Sequence, residues 1–318
     1  MSLHGLSRLP VVAIVALLSL ATARAEEADY KRLEDVIYGR KYGVALTMDV
    51  ITPASPNGIG VILVVSGGWF SAHEAISPAF CGDVLKRGYT VFAVVHGSQP
   101  KFTIPEILED MHRSVRYIRH HAADYGIDPN RIGIMGGSAG GHLSLMQGTA
   151  GTEGKADAPD PVDRESSRVQ AVACFFPPTD FLNYGKEGEI ALGRGVLKGF
   201  RAPFDFQAMD EKTHHFVDVT DEATILEIGK QISPITHASA DDPPTLIIHG
   251  DADELVPIQQ AEILLDKLKA AGVETVLITK PGAAHGWADM PADMTKFADW
   301  FDKYLAVKVE AVDVDAGK

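Results

Sequence analysis

The chain has 318 residues, 46% of them hydrophobic and 23% charged, a balance typical of a globular body that excludes collagen-like, disordered and multi-span membrane architectures. It carries 29 Lys and Arg against 43 Asp and Glu, a formal charge of −14. A surface this acidic repels a phosphate backbone and no basic run offsets it, so nucleic acid is excluded as an expected partner.

Residues 1–25 differ in character from the rest of the chain. Arg8 precedes the apolar run Pro10–Ala21, and Ala23-Arg24-Ala25 supplies a small-x-small cleavage pattern. The run is shorter than the ~20 residues that span a bilayer. It reads as a secretory signal peptide cut after Ala25, leaving a secreted or periplasmic protein with no stable membrane span. Cys81 and Cys174 are the two cysteines. Two are too few for a disulfide scaffold, and Cys174, inside the apolar run Val169–Phe176, reads as a buried thiol.

In chain order, Leu33–Gly39 and Tyr42–Val50 read as a hairpin around Arg40-Lys41. A turn at Pro53–Gly58 leads into Ile59–Val65, the continuous apolar run of a strand covered on both faces. Tyr89–Val95 is the next strand. A helix opens at Pro105 with Ile107, Leu108, Met111, Val115 and Ile118 in one stripe. Strand Arg131–Met135 and helix Gly140–Gly148 come next, then an acidic loop, Gly151–Ser167, read as exposed and solvated. Val169–Phe176, Thr245–His249 and Thr275–Ile278 are further strands, and Gln259–Ala271 and Pro291–Leu305 are helices. This alternation predicts an α/β fold: a mostly parallel central sheet with helices on both faces. The stretch Asp180–Ala238, after the sixth strand, is too long for an ordinary connection. It reads as a small lid or side wall inside one catalytic domain, 26–307, with a flexible tail at 308–318.

The chemistry concentrates at three strand ends. Gly136-Gly137-Ser138-Ala139-Gly140 lies between a strand and a helix, in a turn so tight that side chains at Gly136 and Gly140 would strike neighbouring backbone. Such a turn lifts the Ser138 hydroxyl out at the carboxyl end of the sheet, beneath a helix N-terminus. A serine needs a base, and His285, in the Gly/Ala loop after the last strand, is the candidate. Asp253, after strand Thr245–His249, is the favoured orienting acid, with Asp251 and Glu254 as rivals. The chain order Ser, Asp, His is that of the α/β-hydrolase arrangement. Ser66-Gly67-Gly68-Trp69, closing strand Ile59–Val65, supplies the expected oxyanion donors: the N–H groups of Gly67 and Gly68, joined by that of Ala139. Trp69 and Trp287 are candidates to line the acyl or leaving-group site. His249 reads as a strand-end packing or hydrogen-bonding residue. None of the remaining histidines has metal-ligand spacing to a partner, so no metal is expected.

These residues resemble the α/β-hydrolase superfamily. Within it they are most similar to carboxylesterases, acetyl-xylan esterases and feruloyl esterases, BD-FAE-like enzymes included. The likeness runs from Ile59 to Leu305. The HGGGW of that family stands here as Val65-Ser66-Gly67-Gly68-Trp69. Gly136–Gly141 matches the nucleophile motif, His249–Pro257 matches HGxxDxxVP, and His285-Gly286 matches the base. The resemblance implies a cofactor-free serine esterase acting on esters of short acids, some of them acetyl or feruloyl groups on carbohydrate. Its partner would be a small-molecule or polysaccharide ester. A lipase, a serine peptidase of the same fold and a non-catalytic binding protein on a hydrolase scaffold are the alternatives.

Overall fold

The computed structural model describes residues 30–306; the leader expected at 1–25 and the tail expected at 308–318 lie outside them. Strands β1 (Tyr30–Lys41) and β2 (Val44–Pro53) form the expected antiparallel hairpin. Its turn is Tyr42-Gly43, with φ of 45° and 78°, rather than Arg40-Lys41. Two consecutive positive φ values match the right-handed twist of the flanking strands, and Gly43 accepts one of them without steric cost.

The parallel body is built from β3 (Gly60–Val65), β4 (Thr90–Val95), β5 (Ile132–Gly137), β6 (Ala171–Phe175), β9 (Thr245–Gly250) and β10 (Thr275–Lys280). A separate two-stranded ribbon, β7 (Gln207–Met209) and β8 (Phe216–Asp218), lies in the long stretch after β6. The sheet order is β1-β2-β4-β3-β5-β6-β9-β10. Apart from β1–β2 and β2–β4, its pairings are parallel.

Every residue of β3, β6 and β9 is buried, because both faces of the sheet are covered. Alternate side chains feed two cores. Ile62 and Val64 join the core shared with α2 (Ile104–His120), α3 (Ala139–Ala150) and α6 (Gln259–Ala270). Val61, Leu63 and Val65 join the core shared with α1 (Gly82–Lys86) and α7 (Met290–Leu305). The stripe predicted for α2 is buried throughout, and each such side chain contributes roughly 1.5–3 kcal/mol. The helix starts where the Glu106 carboxylate accepts the Thr103 N–H at 2.8 Å.

The acidic segment 151–167 is largely exposed, as expected, and is also tied to the outer face of α2. Arg113 reaches Asp160 and Asp163 at 2.7 and 2.8 Å, Arg119 donates to the Ser166 and Arg168 carbonyls, and Ser167 is buried. The stretch after β6 holds β7, β8, α4 (Glu222–Gln231) and α5 (Pro234–His237), and it is anchored from inside. Phe181, Tyr184, Phe204 and Phe206 are buried in the same core as α2 and α3. Among the described residues no helix is long and apolar enough to cross a membrane, and Cys81 and Cys174 are both buried and unpaired.

Three histidines, His96 and His142 in the interior and His112 half-buried, are desolvated enough that each imidazole is pushed down to about 4. Below an unfolded value of about 6.5 the unfolded chain binds protons that the folded chain refuses, so stability falls with pH. Each histidine contributes a slope of up to about 1.4 kcal/mol per pH unit between roughly pH 6.5 and 4. Urea denaturation across that range should show stability falling as pH drops, partly offset by Asp110, whose carboxyl is pushed up to about 6 by burial, with a shallower slope in His112→Gln. A flat profile would contradict the neutral, desolvated state of these rings.

Candidate active site

Ser138 joins β5 to α3 with φ 54° and ψ −121°, a region that side chains disfavour. Two backbone hydrogen bonds hold it there: its N–H donates to the Phe175 carbonyl at 3.0 Å, and its carbonyl accepts from His142 N–H at 2.9 Å. A Cβ at Gly136 would lie 2.5 Å from the Gly140 carbonyl oxygen, and one at Gly140 would lie 2.8 Å from that of Val64. The crowding predicted for the two glycines is present, and the serine side chain is forced outward as a result.

His285 meets it from the loop after β10. Gly286 N–H closes on the Ala284 carbonyl at 2.7 Å, a three-residue turn with His285 at its apex. The ring stands between the other two groups: Nε2 is 2.9 Å from Ser138 Oγ, and Nδ1 is 2.7 Å from Asp253 Oδ2. A carboxylate only accepts, so Nδ1 carries the proton and Nε2 offers its lone pair to the serine hydroxyl. The Phe176 ring packs 4.4 Å from the imidazole, centre to centre, and fixes its plane.

Asp253 is buried, and its Oδ1 accepts the N–H groups of Leu255 and Val256, each at 2.9 Å. Burial alone would raise its pKa. The nearby His249, its Nε2 3.5 Å away, and hydrogen bonds from His285 and the Val256 amide outweigh that and hold the carboxyl well below the usual range. His249 is itself buried, with Nε2 2.8 Å from the Val256 carbonyl, and it pins the acid loop as its strand-end position suggests. Of the rivals, Asp251 accepts the Gly282 N–H at 2.6 Å and ties the acid loop to the histidine loop, while Glu254 points to solvent.

The glycine turn after β3 needs one correction. The Gly67 N–H, an expected oxyanion donor, is already engaged: it donates to the Phe70 carbonyl at 2.9 Å, and Phe70 N–H returns to Gly67 at 3.0 Å. The closure places Gly68 and Trp69 at the tip with φ of 55° and 58°. Among the described residues their N–H groups have no hydrogen-bond partner. Ala139 opens α3, so its N–H has no intrahelical partner either. Gly68 has no room for a side chain, because a Cβ there would fall 2.6 Å from the Phe200 ring.

Trp69 is also corrected. It is 2% exposed and belongs to the core rather than to a substrate-lining wall. Its indole N–H donates to His142 Nδ1 at 3.2 Å, and its ring packs on Phe181 and Phe204. His142 Nε2 then reaches the Ile232 carbonyl at 2.7 Å. Trp287 is half-buried, stacked edge-on to Phe175 and Phe176 with its indole N–H on Asp293. Sequence reasoning misses Phe176, Phe200 and His142, whose spacing is that of any core residue; their roles come from where the strand ends fall.

The arrangement supports proton transfer from a serine hydroxyl, with amide donors at the helix start and glycine turn for a developing negative charge. Comparison with known proteins places it in context. The BD-FAE family model matches residues 48–268. The probable carboxylic ester hydrolase LipM of Mycobacterium tuberculosis is 28% identical over 258 residues, covering 78% of this chain and 54% of that protein. Esterase LipQ of the same organism is 26% identical, covering 73% and 51%. The chain thus spans about half the length of the curated relatives it matches. Among solved structures, a truncated carbohydrate esterase from gut microbiota aligns with TM-score 0.69 and 27% identity over 88% of this chain and 99% of that one. Butyrate-bound Est2 of Thermogutta terrifontis aligns with TM-score 0.62 and 25% identity over 88% and 96%. With more than half of its length matched, and its sheet and helices in the arrangement those esterase structures share, this chain belongs to the BD-FAE family and has the α/β-hydrolase fold.

Proposed function

We propose that this chain is a carboxylic ester hydrolase that works through an acyl-enzyme on Ser138. The observation that carries this reading is the pair of hydrogen bonds, 2.9 and 2.7 Å, by which one imidazole bridges Ser138 and Asp253.

In the first step Ser138 Oγ bonds to the ester carbonyl carbon while His285 Nε2 takes its proton. The carbonyl oxygen becomes an oxyanion held by the N–H groups of Gly68, Trp69 and Ala139, each such donor contributing on the order of 3 kcal/mol. The ionised Asp253 stabilises the imidazolium and keeps the ring in register. His285 then hands its proton to the leaving alcohol oxygen as the C–O bond breaks. Water takes the same path in reverse: the histidine takes its proton, hydroxide adds to the acyl carbon, and Ser138 leaves with a proton restored.

We assign the substrate to short-chain or carbohydrate-linked esters, acetyl or feruloyl. The carbohydrate esterase and the butyrate-bound esterase among its structural neighbours support this class. The leader expected over residues 1–25 would carry the activity outside the cytoplasm.

The test is a panel of p-nitrophenyl acetate, butyrate and laurate with acetyl-xylan and methyl ferulate alongside. Acetate or butyrate should be turned over faster than laurate, and Ser138→Ala should lose roughly 10³-fold or more with the fold intact. Undiminished turnover in that variant removes the proposal, and a preference for laurate makes the protein a lipase. Gly68→Ala tests the turn separately. Its methyl group meets Phe200 and sits at positive φ, so kcat should drop at least about tenfold, with only partial recovery in Gly68→Ala/Phe200→Ala.

A further inference from the structure

We propose that Tyr184, in the segment between β6 and α4, is a positioning residue for Asp253; the inference rests on the hydrolase reading above. The phenol Oη donates to the Leu255 carbonyl at 3.1 Å. That carbonyl belongs to the same peptide unit as the Val256 N–H, which donates to Asp253 Oδ1 at 2.9 Å. A trans peptide points its C=O and N–H in opposite directions. Tyr184 therefore grips the far side of the amide that holds the carboxylate. Hydrogen bonds on the two ends of one amide polarise each other, so the grip also strengthens the donor. The path runs on without a gap: Asp253 Oδ2 to His285 Nδ1 at 2.7 Å, then His285 Nε2 to Ser138 Oγ at 2.9 Å.

Tyr184 is equipped for this. It is 2% exposed, it lies nearly parallel to Phe181, and burial pushes its phenol up, so it remains a neutral donor. Its backbone is seated on the start of α6, the helix that directly succeeds the acid loop. Gln259 Oε1 accepts the Gly185 N–H at 2.9 Å, and the side-chain amides of Gln259 and Gln260 both donate to the Asn183 carbonyl at 3.1 Å. Gln260 Oε1 accepts the N–H groups of Thr179 and Asp180 at 2.9 and 2.8 Å. The root of the segment and the acid loop thus form one hydrogen-bonded block, and this root cannot swing away as a lid without releasing the carboxylate.

The experiment is Tyr184→Phe, which deletes only the hydroxyl, assayed on p-nitrophenyl acetate in the wild-type and Asp253→Ala backgrounds. Loss of one neutral hydrogen bond should lower kcat about three- to tenfold, with KM within about twofold. The same change should cost nothing further once Asp253 is absent. The downfield NMR proton of His285 Nδ1 should move upfield in Tyr184→Phe. If that variant does not fold, Gln259→Ala loosens the seat of Tyr184 from a half-buried position and should give the same kcat pattern at smaller size. Unchanged kcat, a rise in KM instead, or an equal loss in the Asp253→Ala background would each overturn the proposal. Failure of this inference is separable from failure of the hydrolase reading, because the latter is decided by Ser138→Ala alone.

Discussion

The backbone of Ser138 is the constraint around which the carboxyl edge of the sheet is built. A residue with a side chain at φ 54° and ψ −121° carries a cost on the order of 1–3 kcal/mol and persists only where its surroundings leave no alternative. The Phe175 carbonyl holds its N–H, His142 N–H holds its carbonyl, and glycines at 136 and 140 clear the backbone on either side. The strain gives Oγ a fixed exit direction. A relaxed turn would let the serine rotate away from the imidazole, and the 2.9 Å contact would become one option among several.

That rigidity extends into the long stretch after β6. The chain Trp69–His142–Ile232 links the glycine turn, the nucleophile helix and the end of α4 through two buried hydrogen bonds. The carbonyl of Ile232 only accepts, so His142 Nε2 carries the proton and Nδ1 is left to receive the indole N–H. A charged ring would have no acceptor for its second proton here, which agrees with the downward shift caused by burial. Phe181, Tyr184, Phe204 and Phe206 lock this stretch to the core.

The strand–helix alternation, the buried β3 and the α2 stripe are readable because burial on both faces leaves an unbroken apolar run, and burial on one leaves a helical period. Ser138, Asp253 and His285 are readable because each sits in a loop just beyond a strand, and parallel strands bring those loops to one edge. Hydrogen-bond direction is not readable. Nothing in Ser66-Gly67-Gly68-Trp69 announces that Gly67 commits its N–H to Phe70, since closure of that turn depends on Phe70 coming back. Trp69 escapes a sequence reading for a related reason: positive φ at two successive residues turns its side chain inward, and composition carries no φ values. The exposure of the acidic loop is readable, but the pairing of Asp160 and Asp163 with Arg113, about fifty residues away, is not.

The departure from HGGGW at Val65 and Ser66 is where the structure adds most to the sequence. A histidine and a glycine are missing from the start of the turn, so its orientation must come from elsewhere. His96, at the end of the neighbouring β4, supplies it. Its Nδ1 faces the Gly97 carbonyl at 2.7 Å and so carries the proton, which leaves Nε2 to accept the Ser66 hydroxyl at 2.9 Å. Ser71, one residue past the turn, donates back to the Val65 carbonyl. The turn is thus clasped at its entrance by a buried imidazole and at its exit by a hydroxyl, and the free N–H groups of Gly68 and Trp69 project from a loop fixed at both ends. An imidazole placed on the adjacent strand end substitutes for one placed in the turn, because parallel pairing of β3 and β4 puts Val65 directly beside Val95.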